Sequence, residues 1–403
     1  MPSTETVTPA TAQSGTDDEE HLVRGYAGRL LVAVSVGWLA IQSGRLVLSP
    51  MLPAISADLG ISDAQAGFAF TTLWGLYAVL QFPSGRLSDA LSRKTLLVAG
   101  LGLSAVGFTA VAAAPSYAFL LAGAAVLGTG AGLYPTVARA LVSDLYTAKQ
   151  GRAFGLHTAS GDLGGVASAG LAAAVLAYAT WRAAFVPVVV VVVAVLVALH
   201  VWSREDYVVE ARSLAVRDTV GRLLVGSRFR WLLVAYTLYA FTWQATAAFL
   251  PTFLETGKQF APFVGQVAFG VLFGVGAVVK PTAGWLSDSV SRRALTVGAL
   301  VLGATALVGV VLADSPAVAV AAVAVFAVGL LAFPPVMQSY LMDAFPDGSA
   351  GGDLGAMRTV YIGVGALGPT YVGTTATLAN YDLAFWGLVV ALLAAAGIVA
   401  RVT

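Results

Sequence analysis

Gly85-Arg-Leu-Ser-Asp-Ala-Leu-Ser-Arg-Lys94 returns later in the chain as Gly284-Trp-Leu-Ser-Asp-Ser-Val-Ser-Arg-Arg293. Each copy is a short polar knot, an acid followed by a basic pair, set where two long apolar runs must turn round. Sliding the chain on itself by about 199 residues lays Ala69 to Lys94 on Ala268 to Arg293 with about twelve identities, and the same offset pairs Pro135 with Pro334 and Asp144 with Asp343. A constant offset over several helices predicts a duplicated half, and so two bundles with a pathway between them.

Composition decides the solvent. The 403 residues are 58% hydrophobic and 11% charged, with mean hydropathy +0.84, against roughly 25% charged in soluble domains. The expectation is an all-α polytopic membrane protein. A net charge of +1 carries no information about partners, and nucleic acid is not expected among them. Without cysteine there is no disulfide, thiolate metal site or cysteine nucleophile. No Ser-His pair, metal-spaced acids or lysine-bearing phosphate loop appears, so neither an enzyme nor a cofactor is expected. Residues 1–22 read as a disordered tail, rich in Ser, Thr and Pro and ending in an acidic run.

Apolar runs of about 20 residues, the length of a bilayer crossing, fall near Tyr26–Leu48, Gln65–Gly85, Thr95–Ala113, Tyr117–Val142, Phe154–Tyr178 and Ala184–Trp202. A second six fall near Trp231–Leu250, Phe263–Gly284, Ala294–Ala313, Pro316–Leu341, Gly355–Leu378 and Leu383–Arg401. Twelve transmembrane helices in two six-helix bundles, residues 23–202 and 231–403, are therefore predicted, joined by a charged linker at 203–230. Cytoplasmic loops carry the excess of Lys and Arg. Placing both termini in the cytoplasm puts Arg24, Arg29, Arg86, Arg93, Lys94, Lys149, Arg152, the linker arginines, Arg292, Arg293 and Arg401 inside, and leaves Arg45, Arg182 and Lys258 toward the outside.

Twelve spans, a duplicated half and this loop resemble the major facilitator superfamily. Its signature between helices 2 and 3 reads Gly-x-Leu-Ala-Asp-Arg-x-Gly-Arg-Lys. Gly85, Leu87, Asp89, Arg93 and Lys94 match it, as do Gly284, Leu286, Asp288, Arg292 and Arg293 in the second copy. The Arg after the acid is Ala90 or Ser289, and the Gly before the basic pair is Ser92 or Ser291, so one basic arm is missing from both. The resemblance implies a gate in which Asp89 docks on the N-terminal end of span 11, near Gly352 to Gly355, and Arg93 pairs with Asp144. By the repeat, Asp288 docks near the start of span 5 and Arg292 pairs with Asp343. A carboxylate at a helix N-terminus gains about 0.3 to 1 kcal/mol. The plainer alternative for the basic residues is that they only set topology.

Polar groups inside spans are costly and mark pathways. On span 1, Ser35, Trp38, Gln42, Arg45 and Ser49 recur at helical spacing. Arg45 is the candidate anion contact, because a guanidinium can give a carboxylate or phosphate two parallel hydrogen bonds. The spacing of Arg45 to Pro53 resembles span 1 of organophosphate antiporters and anion:cation symporters, which implies a substrate anion at Arg45. The antiporters' second arginine is replaced by Gln244, and the symporters' span 4 arginine and glutamate by Ala124 and Ala131. The alternative for Arg45 is a side chain reaching to lipid headgroups. Tyr134, Tyr239, Trp243, Gln244 and Phe333 complete the candidate substrate site, with packing between helices as their alternative reading. Asp162, in span 5, is the intramembrane acid. Desolvation favours a neutral carboxyl, which makes Asp162 the candidate for a coupling proton; the alternative is an acid paired between helices. The glycine-proline motif of family antiporters is broken at Gly161-Asp162, which leans away from drug-proton exchange.

These readings converge on a secondary transporter of a small organic solute, anionic by the span 1 reading, working by alternating access with protons as the candidate coupling ion. The other readings are an exporter of hydrophobic compounds by proton antiport and a transport-inactive sensor of the same fold. The partners expected are the small-molecule substrate and the lipid bilayer, for a monomer in the plasma membrane.

Overall fold

The computed structural model describes residues 21–88, 91–208, 227–342 and 350–402. Most of the tail and of the linker therefore lies outside the described residues, as do Asp89 and Asp343. All regular structure among the described residues is helical. The helices are α1 (Gly25–Leu46), α2 (Leu52–Leu59), α3 (Asp63–Ser88), α4 (Arg93–Ala112), α5 (Tyr117–Leu145), α6 (Gln150–Tyr178) and α7 (Phe185–Trp202) in the first half. The second half holds α8 (Ser227–Thr252), α9 (Pro262–Leu286), α10 (Arg292–Val311), α11 (Pro316–Met342), α12 (Ala350–Gly365), α13 (Leu367–Leu378) and α14 (Tyr381–Arg401). Because α12 and α13 together make up span 11, interrupted at Ala366, and α2 is a short connector, these are the twelve expected spans. Nine helices among the described residues are long and apolar enough on their own to cross a membrane.

Local chemistry explains the helix ends. Ser92 caps α4, its Oγ accepting from the Thr95 amide at 3.2 Å, and Ser291 caps α10 by accepting from the Ala294 amide at 3.4 Å. The serines that depart from the family signature are thus N-caps, satisfying amide donors that a helix start leaves unpaired. Asn380 caps α14 through the Leu383 amide. Pro53 lies in the first turn of α2, and Gly60 ends that helix in the left-handed conformation at φ 62°.

Close packing follows the small residues. A Cβ at Gly128 or Gly132 of α5 would collide with the α3 backbone at Leu73 or Tyr77, so these two glycines set how near α5 lies to α3. Helices α1 to α7 pack among themselves, as do α8 to α14. The two bundles meet where α3 lies against α12 and α13, where α6 lies against α9, and where α2 and α3 touch α8.

The seam is sealed at the end of the molecule away from the chain termini. Ser49 Oγ donates to the Ala248 carbonyl at 2.9 Å. These residues are related by the repeat offset, so the bond joins equivalent points of the two halves. Thr71 Oγ1 donates to the Ala366 carbonyl at 2.6 Å and lies 2.7 Å from Thr370 Oγ1. The Ala64 amide donates to Thr377 Oγ1 at 3.1 Å. Surface ion pairs at the same end tie Arg182 to Asp58 at 2.5 Å and Lys258 to Asp382 at 3.2 Å.

Candidate substrate site in the seam

Arg45 is buried, not extended toward headgroups: it is 2% exposed, and its guanidinium lies 4.1 Å from the ring centres of both Trp74 and Tyr77 on α3. A cation against aromatic faces is attracted by the ring quadrupole. Its Nε, Nη1 and Nη2 have no hydrogen-bond partner, and no acid pairs with it among the described residues. Five donors in a planar fork are thus held ready in a dry place.

Two further arginines converge on Tyr77, and sequence reading passed over both. Arg139 reaches from α5, its Nε bonded to the Pro135 carbonyl at 3.1 Å. Arg358 reaches from α12 in the other bundle, with a buried Nε that has no partner. The packing of α3 brings them together, since Tyr77 abuts Gly132 of α5 and Ala78 abuts Gly363 of α12. Arg45, Arg139 and Arg358 all act electrostatically on Tyr77, and Arg139 and Arg358 act on each other.

Aromatic groups from both halves flank this cluster. Trp38 stacks on Tyr134 at 6.4 Å and on His157 at 6.3 Å. Tyr134 is fully buried and donates to the Val34 carbonyl at 2.9 Å. On the other side Tyr236 stacks on Tyr361 at 3.8 Å and Tyr239 on Phe333 at 4.2 Å. Arg139 lies near both groups, within electrostatic reach of His157 and Tyr361. Trp243 meets Phe273 edge-on at 5.7 Å, and Gln244 Nε2 donates to the Ile362 carbonyl at 2.9 Å while its Oε1 is buried without a partner. Gln42 Oε1 is likewise buried and unpartnered.

Asp162 is paired: Lys280 of α9 donates to its Oδ1 across the seam. Lys280 was also passed over in the sequence, where it stands within a few residues of the second loop motif. Tyr239 lies within electrostatic reach of Asp162, which links this pair to the aromatic wall. By the repeat offset Lys280 corresponds to Gln81 and Asp162 to Tyr361, so the equivalent positions at the other junction between the bundles are polar but uncharged. Gln81 is buried and accepts from Thr136 Oγ1 at 3.0 Å.

At the termini end, Arg93 Nε pairs with Asp144 at 3.0 Å, and Arg93 Nη1 also donates to the Ser88 carbonyl. Lys94 holds the start of the linker: its amide donates to Glu205, its Nζ to the Ser203 carbonyl at 3.1 Å, and its ammonium lies 4.9 Å from the Tyr207 ring centre. In the second copy Arg292 donates to the Ser339 and Ser287 carbonyls. Asp288 is exposed, and its amide donates to the Trp285 carbonyl at 3.2 Å. Gly85 packs beside Thr136, and Gly284 beside Pro335. Arg293 donates to the Ala400 carbonyl, tying α10 to the end of α14.

The fold and the polar seam between its bundles define a multi-pass membrane transporter. The chain belongs to the Major Facilitator Superfamily, whose family model matches residues 34–369. It is 27% identical over 303 residues to the gentisate transporter of Corynebacterium glutamicum, covering 71% of this chain and 68% of that protein. It is 30% identical over 156 residues to the puromycin resistance protein pur8 of Streptomyces alboniger, covering 38% of this chain and 31% of that one. Among solved structures, a bacterial homologue of the human lysosomal transporter Spinster, inward-facing and occupied, superposes with a TM-score of 0.82 at 16% identity over 94% of this chain and 98% of that chain.

Proposed function

We propose that the protein carries a small organic anion through the seam between its bundles by alternating access. One observation carries this reading: four cationic side chains, Arg45, Arg139, Lys280 and Arg358, reach the seam, and the only acid with them among the described residues is Asp162, already held by Lys280. Arg45, the buried member, carries a charge that demands compensation, and an anionic substrate supplies it. The gentisate transporter among the relatives is named for an organic anion.

The Lys and Arg excess assigns the termini end to the cytoplasm, in a plasma membrane. The seal of Ser49, Thr71 and Thr370 at the opposite end then makes this the inward-facing state. Arg93–Asp144 and the clasp at Lys94 brace the first cytoplasmic loop within its own half, and the exposed Asp288 loop is the part of the latch that engages when the bundles rock the other way. Asp162 is the proton-coupling candidate, released from Lys280 when a substrate anion takes the ammonium.

A second reading, export of hydrophobic compounds, draws on the wall of Tyr236, Tyr239, Phe333 and Tyr361 and on the puromycin-resistance relative. Uptake into proteoliposomes of labelled organic acids beside a neutral and a cationic aromatic compound, with and without a pH gradient, separates the two. Anion-selective uptake lost in Arg45→Gln supports the first. Transport of the uncharged or cationic probe, indifferent to Arg45, refutes it.

A further inference from the structure

We infer that the transported anion carries two acidic groups, held by guanidiniums from opposite bundles. This inference rests on the proposed anion transport and names its substrate class.

The argument starts from the charge around Tyr77. Arg45 comes from α1, Arg139 from α5 and Arg358 from α12, and none of the three has an acidic partner among the described residues. One carboxylate can satisfy one guanidinium fork in bidentate fashion, since it has two oxygens. A monoanion would leave two of the three cations, gathered on one tyrosine, without an acidic partner, and like charges repel. A second acidic group on the same molecule removes most of that excess.

Placement supports the same reading. Arg45 lies against the closed end, beside the mutually perpendicular rings of Trp74 and Tyr77, and its nitrogens have no hydrogen-bond partner. Arg139 and Arg358 are partly exposed and stand on opposite sides of the seam near Tyr361. Guanidiniums from the two bundles that share one tyrosine suit a short molecule with an acid for each. The stacked rings of Tyr236 and Tyr361 offer the intervening skeleton a flat apolar surface. An acid between Arg139 and Arg358 would also screen their mutual repulsion, so that the loaded carrier could draw the two bundles together at this level.

The test uses purified full-length protein and matched pairs of acids sharing one skeleton: benzoate with the three benzene dicarboxylates, butyrate with succinate, and pentanoate with glutarate. Thermal stabilisation measures binding, and competition against the best ligand confirms it. In at least one skeleton the diacid is expected to act at a concentration about tenfold or more below its monoacid. In Arg358→Gln that advantage falls to about twofold, and Arg358→Lys, which keeps the charge but loses the fork, gives an intermediate ratio. Monoacids equal to or better than diacids in every skeleton, or a ratio unmoved in a monodisperse Arg358→Gln or Arg358→Lys protein, would overturn the inference while leaving anion transport standing. If neither class stabilises the protein, anion recognition itself fails, and the inference with it.

Discussion

Lys280 of α9 and Asp162 of α6 form an ion pair across one junction of the two bundles, while the repeat-related positions at the other junction are Gln81 and Tyr361. The halves are alike in fold and unlike in charge. The pair gives one junction an ion pair that a substrate anion or a proton can break, and the equivalent positions of the other hold no ion pair.

Breaking the pair from either side should therefore be felt. Lys280→Met leaves Asp162 uncompensated, and Asp162→Asn leaves Lys280 so; each is expected to lower thermal stability and transport. The double variant should recover stability but not transport. A double-mutant cycle on melting temperature in detergent should give a coupling of about 0.5 to 3 kcal/mol. Additive single effects would deny that the two side chains interact.

Arg45→Lys should behave as a loss of function. A lysine keeps the charge but cannot lay a planar group against the rings of Trp74 and Tyr77 or present a fork. The lost stacking alone costs about 0.5 to 2 kcal/mol. Saturation kinetics of anion uptake should show weakened apparent affinity in Arg45→Lys comparable to that in Arg45→Gln, and wild-type affinity in the lysine variant would contradict the assigned role.

The natural chain has no cysteine, which makes cross-linking direct. Thr71 Oγ1 and Thr370 Oγ1 lie 2.7 Å apart at the sealed end. The pair Thr71→Cys and Thr370→Cys should oxidise readily, block uptake by holding that end shut, and regain uptake on reduction. Full transport by the oxidised pair would show that this contact does not open in the cycle.

A pH prediction concerns the outer clasp. Arg182 Nη1 donates to Asp58 at 2.5 Å, and Trp181 Nε1 does so at 3.3 Å. These hydrogen bonds, that of Arg182 first, hold the Asp58 carboxyl below the usual carboxylate range. A depressed folded-state pKa contributes stability that is present above the unfolded value of about 3.9 and is lost as pH falls through the folded value. The melting-temperature difference between wild type and Asp58→Asn should thus be flat from about pH 5 to 8 and shrink only below about pH 4. A difference that changes around neutrality would contradict this.

Much of the fold was legible because it is written twice. The polar knots at Gly85 and Gly284, the offset between them and the apolar runs lead directly to the twelve helices and two bundles. The site was legible only in part. Arg45 and Asp162 stand out because they are isolated in apolar sequence. Lys280 and Arg139 stand in the last two turns of their helices and Arg358 in the first half of span 11, where a basic residue reads as one more positive-inside charge. What distinguishes them is their convergence on partners far away in sequence: Tyr77 for the arginines and Asp162 for the lysine. The repeat held a partial signal, since its offset sets Lys280 opposite Gln81 and Arg139 opposite Gln338, polar in both copies. Tyr134 and Phe333 illustrate the converse: both are fully buried against neighbouring rings.

The measurement that bears most directly on anion carriage is uptake of labelled organic acids into proteoliposomes by wild type and by Arg45→Gln, Arg139→Gln and Arg358→Gln, each checked for monodispersity. Saturable acid uptake that falls about tenfold or more in each variant, with no uptake of neutral or cationic aromatic probes, is the expected result. Undiminished acid uptake in all three variants, or transport confined to uncharged or cationic compounds, would contradict it.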